Sequence, residues 1–155
     1  MDRRELLTAL GAGAVGLATL FRDTARASQQ DHVHHDQVHE DCMKACTECS
    51  RACNETASHC LDEIVAGSGN VKMHARVHGL TMDCQAFCAL SLALMERNSA
   101  MIQYACDACA EACRACAEAC DRHPASEVVK QCGETCRTCE RACREMVKSM
   151  RGKTT

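Results

Sequence analysis

The chain has 155 residues, enough for one domain with a core, and a formal net charge of −3, which points to neither nucleic acid nor an anionic membrane surface. Sixteen cysteines mark a disulfide-built or metal-built protein. One proline, 2% aromatics and plentiful Ala, Glu, Arg and Lys are a helical vocabulary, ill suited to a loop-rich disulfide scaffold.

The chain opens MDRRELLTALGAGAVGLATLF, with Arg3 and Arg4 ahead of an uncharged run from Leu6 to Phe21. Ala25-Arg26-Ala27 then offers a small-x-small cleavage site before Ser28. The run is short, glycine-rich and weakly apolar, so a cleaved signal peptide over residues 1–27 is expected rather than a membrane-spanning helix. Paired arginine before a modest apolar run resembles a Tat leader. Asp2 and Leu6 depart from that pattern's usual flanks, and Sec export stays open. Either route delivers the chain to the periplasm, with no membrane contact after cleavage.

Residues 28–155 divide at readable stops: GSGN at 67–70, RNS at 97–99, and HPAS at 123–126, whose Pro124 suits the first turn of a new helix. The last run ends near Met150, at Arg151-Gly152. Four helical runs of roughly 22–35 residues with short connections predict an all-α fold, an antiparallel up-down-up-down four-helix bundle.

The cysteines carry the strongest signal. The first helix holds Cys42, Cys46, Cys49, Cys53 and Cys60, and the second holds Cys84 and Cys88. The third holds Cys106, Cys109, Cys113, Cys116 and Cys120, and the fourth Cys132, Cys136, Cys139 and Cys143. Within helices the steps are 3 or 4, with one of 7 between Cys53 and Cys60. Such steps trace the inward seam of a bundle helix, while Glu111, Arg114 and Glu118 fall on the other face. All sixteen thiols are therefore expected to line one axial core.

Small-hydrophobe packing accounts for one or two such positions, not sixteen, because Leu or Ile would fill a bundle better. Disulfides at i and i+4 strain a helix, although cross-helix bridges remain an alternative. Zinc and iron–sulfur sites want closed ligand sets from separate knuckles, whereas these ladders have no quartet boundaries. An unbroken wall of soft thiolate suits Cu(I), a soft ion that accepts few ligands. If each ion takes two thiolates and each thiolate bridges two ions, capacity approaches one copper per cysteine. A general thiol sponge for zinc shares these features and stays open as a second reading. No Ser-His-Asp order, phosphate loop or paired-carboxylate spacing suggests an enzyme.

The ladders CMKACTECSRAC, CDACAEACRACAEAC and CGETCRTCERAC resemble those of the bacterial cysteine-rich copper storage proteins, over about residues 30 to 150. The resemblance implies storage of many Cu(I) ions by core thiolates, without turnover, in a four-helix bundle that often forms homo-oligomers, commonly tetramers. Copper chaperones or cuproenzymes are candidate partners, and the leader places the chain with the exported branch. The second helix departs from a full ladder: Ser91 and Met95 follow Cys88, so it should bind less.

Up-down topology gathers His32, His35, His39, Met95, Met101, Met146 and Met150 at one end of the bundle. His59, Cys60, His74, His78 and His123 fall at the other. Imidazole and thioether hold copper more weakly than thiolate. The first end is the expected entrance, through His35, His39, Met95, Met101 and Met146. A core of small thiols should also leave the metal-free bundle softer than the loaded one.

Overall fold

The computed structural model describes residues 18–123 and 126–152, with side chains described from residue 37 onward. The chain divides into two units, Met1–Gln37 and Val38–Thr155. The described part of the first is helical throughout. The second holds the bundle.

Among the described residues the elements are α1 (Ala18–Ala66), α2 (Val71–Glu96), α3 (Ile102–Asp121) and α4 (Glu127–Arg151). The expected stops hold, but the lengths differ from expectation: α1 has 49 residues and α3 has 20. No Gly or Pro falls between Ala18 and Ala66, and the Ala, Arg and Gln around Ala25-Arg26-Ala27 favour helix. A small-x-small site is a recognition pattern and stops nothing. The leader up to residue 17 and Pro124 lie outside the described residues.

Two turns end their helices alike. Gly67 (φ +64°) donates its N–H to Ile64 O, and Ser68 donates to Glu63 O, closing α1 in a Schellman motif. Asn98 (φ +49°) and Ser99 make the same pair of bonds to Met95 O and Leu94 O after α2. Asparagine is one of the few side chains that tolerates the left-handed region. Asn70 then caps α2, its side chain accepting the Met73 N–H at 3.2 Å.

Sulfur contacts fix the direction of the helices. Along α1, Cys42 meets Cys143, Cys46 meets Cys139, Cys49 meets Cys136 and Cys53 meets Cys132, at 3.7–3.9 Å. The partner number falls as the α1 number rises, so α1 and α4 are antiparallel. Cys84 with Cys113 and Cys88 with Cys109 show the same for α2 and α3. For α1 and α2, His78 Nδ1 lies 2.9 Å from Ala57 O while Cys49 meets Cys84. The fold is an antiparallel up-down-up-down four-helix bundle.

Its exterior is charged. Arg114 sits between Glu111 (3.0 Å) and Glu118 (2.6 Å), and Arg144 ties Glu111 of α3 to Glu140 of α4. These exposed pairs each contribute about 0–1 kcal/mol. Helix α2 also carries apolar side chains on its outer side, with Met82, Phe87 and Leu90 exposed. It is also long and apolar enough to cross a membrane by composition alone, although its thiols place it in the bundle wall.

Candidate metal centre

Every one of the sixteen cysteines is buried and is a free thiol, so the 3,4 stepping does turn each ladder inward. What the stepping could not specify is how the ladders mesh. Cys49 of α1 touches sulfurs on all three other helices: Cys84 at 3.7 Å, Cys113 at 3.9 Å and Cys136 at 3.7 Å. Cys84 and Cys113 approach to 3.5 Å.

Sets of four sulfurs lying within 4.8 Å of one another recur along the axis, and they overlap. Cys49 and Cys84 belong both to a set with Cys88 and Cys113 and to one with Cys53 and Cys136. Cys53 and Cys136 belong again to a set with Cys116 and Cys132. Cys109 and Cys139 join a set with Cys46 and Cys143 to one with Cys88 and Cys113. The sulfurs form a continuous column in which neighbouring quartets share members.

Packing thiols this densely couples their protons. Cys49 and Cys109 are held low, chiefly by the hydrogen bond that each shares with Cys113. Cys136 and Cys139 are held high, chiefly by hydrogen bonds to Cys116 and Cys109 respectively. A soft cation entering the column must displace thiol protons. Cys60, near the end of α1, is simpler: burial, followed by repulsion from Cys132 and Cys116, pushes its thiol up to about 11.

On α2 the ladder continues in altered chemistry, since Ser91 and Met95 are both wholly buried. Met146 is also wholly buried, His39 is half-buried and Met101 is exposed. The side chains of His32 and His35 lie outside the described residues.

At the opposite end, His59, His74 and His123 come together beside a cavity of about 580 Å³, and His78 instead faces the α1 backbone. Glu63 and Ser126 also line that cavity, and sequence reasoning missed both. Glu63 follows His59 by four residues, one turn along the same face, and that was the available signal.

Residues 35–148 match the family described as Csp, copper storage protein. The chain belongs to this family. Among solved structures, apo copper storage protein 3 from Bacillus subtilis is 30% identical (TM-score 0.61), with 70% of this chain and 97% of that one covered. A Nitrosospira multiformis protein is 34% identical (TM-score 0.62), covering 73% of this chain and 97% of its own. A copper storage protein from Streptomyces lividans, loaded with 10 copper equivalents, is 29% identical (TM-score 0.66), covering 73% and 86%. No curated protein matches the chain. Membership in a copper storage family agrees with the column's chemistry, a soft and continuous donor set in a buried core.

Proposed function

We propose that this copper storage family member holds many Cu(I) ions along its axis, with all sixteen cysteines as ligands and about one ion per cysteine at saturation. Bridging requires each sulfur to reach more than one ion. The overlap of the sulfur quartets carries this reading, because a shared thiolate such as that of Cys49 is positioned to do so. The protein acts as a store and buffer, with no turnover. Copper chaperones or cuproenzymes deliver and withdraw the metal.

Zinc, at four thiolates per ion, would fill at most about four sites per chain. Cu(I) titration of the reduced chain against a competing chelator separates the two. The expected stoichiometry lies well above four and approaches the cysteine count. A plateau near four, or displacement of bound copper by excess zinc, would overturn the reading.

Residues 1–27 act as a Tat-like signal peptide, and the mature chain from Ser28 works in the periplasm. The paired Arg3-Arg4 and the Ala25-Arg26-Ala27 site support this. N-terminal sequencing of protein recovered from the periplasm should begin at Ser28. The outer face of α2, where Met82, Phe87 and Leu90 lie exposed beside Ala86, Ala89 and Ala93, packs against a second copy in a homo-oligomer. Phe87→Glu should shift the sedimentation profile toward monomer.

Copper enters at the end of the bundle holding His39, Met95, Met101 and Met146. The buried Met95 and Met146 thioethers there offer intermediate stations before the thiolates.

A further inference from the structure

At the other end, the close of α1 brings His59 and Glu63, the start of α2 brings His74, and the close of α3 brings His123. We propose that these three imidazoles, with the Glu63 carboxylate beside them, form a site for one borderline divalent cation of the Zn²⁺ class, separate from the Cu(I) column. The inference goes beyond the storage reading and does not depend on it.

The geometry comes first. His74 Nε2 and His123 Nε2 face each other at 3.2 Å. Two nitrogens bound tetrahedrally to one zinc at 2.0–2.1 Å would stand roughly 3.3 Å apart. The His59 ring lies edge-on to His74 with centroids 6.1 Å apart, and its Nε2 is 3.0 Å from Ser126 Oγ. Ser126 is the N-cap residue of α4, yet its side chain makes no cap hydrogen bond and is turned to this ring instead. Gly69 (φ +61°) closes the floor: a Cβ there would stand 3.4 Å from His74 Nε2.

The electrostatics agree. Glu63 is held below its ordinary range first by its hydrogen bond from Ser68, and then by attraction to His59, His74 and His123, so one carboxylate faces all three rings. Burial, reinforced by the neighbouring His123, holds His74 below the ordinary imidazole range.

The plainer account is that His74 and His123 are packing residues. Buried histidines kept for packing normally have both ring nitrogens satisfied. Here the Nδ1 atoms of His74 and His123 are both buried without a hydrogen-bond partner among the described residues. Hydrogen bonds at Nδ1 thus do not hold the two rings, and a cation between their Nε2 atoms would. Imidazole with carboxylate suits Zn²⁺ or Cu²⁺, whereas Cu(I) prefers the thiolates deeper in.

The test loads the reduced chain with Cu(I) to saturation, dialyses it against Zn²⁺, and counts both metals. About one Zn²⁺ per chain is expected. His74→Gln and, at the half-buried position, His59→Ala should each lose that ion at unchanged Cu(I) capacity, with helicity checked by circular dichroism. No Zn²⁺ on the loaded chain, or equal Zn²⁺ on chain and variants, overturns the site. A variant that loses one Cu(I) in place of Zn²⁺ overturns it too, since the mouth would then be one more copper position. A chain that takes up no Cu(I) sinks the storage reading alone, because the same one-ion zinc difference is then read on the apo chain.

Discussion

The two ends of the bundle close the same column with different chemistry. At the Cys42 and Cys143 end, the large unbranched side chains of Met95 and Met146 are wholly buried. Flexible thioethers fill irregular space without needing hydrogen-bond partners. At the Cys60 end, three imidazoles and a carboxylate line an open cavity. Polar rings cannot close down on a sulfur column without stranding their nitrogens, and two already are stranded. Thioether packs its end closely, while imidazole leaves a cavity at the other. The copper entry proposed for one end and the cation site proposed for the other follow this division.

The largest expected effect concerns what both ends enclose. Cu(I) binds the folded column and not the unfolded chain to comparable degree, so saturation should raise the melting temperature by about 10 °C or more. An unmoved transition in calorimetry would mean that the thiols are not the store, and the contrast between ends would lose its meaning.

Alkaline titration of the apo chain should show the imidazole end weakening. The folded Cys60 thiol titrates at about 11, against 9.0 ordinarily, so the folded state keeps a proton that the unfolded chain has lost. Stability present below pH 9 then falls as pH rises toward 11, by on the order of 2 kcal/mol. Urea melts should show this slope flattened in Cys60→Ala by about one proton.

Helix spacing gives a smaller effect at the same end. A Cβ on Gly133 would stand 3.0 Å from Cys120 Cβ, an atom that cannot swing aside. Gly133→Ala should destabilise by about 1 kcal/mol net, overpacking outweighing the helix gain. Gly79→Ala, with nothing within 4 Å, should stabilise by about 0.5–1 kcal/mol.

The smallest effect decides between the ends as entrances. A His35→Ala, His39→Ala double variant should take up Cu(I) several-fold more slowly, about 1 kcal/mol in barrier, at unchanged capacity. Stopped-flow loading compared with His59→Ala reads the contrast directly. Slowing only in the second variant would move the entrance to the imidazole end.

Much of the fold is legible in the residues alone. The GSGN and RNS stops became Schellman turns because Gly67 and Asn98 accept the left-handed backbone those turns demand. Helix α1 runs longer than the sequence suggests, since a cleavage pattern carries no backbone instruction. Histidines at the far end are visible as a group, but nothing in their spacing separates His78, which faces Ala57, from the three that converge.

Cysteine stepping of 3 and 4 by itself determined that every ladder turns to one side, because helical periodicity is local covalent geometry. Which sulfur meets which across the axis was decided only by tertiary structure. So was the meeting of His59, His74 and His123, drawn from three helix ends far apart in the chain. Axial registration between helices depends on turn geometry and on close packing at places such as Gly133, and neither leaves a periodic trace in the residues it aligns.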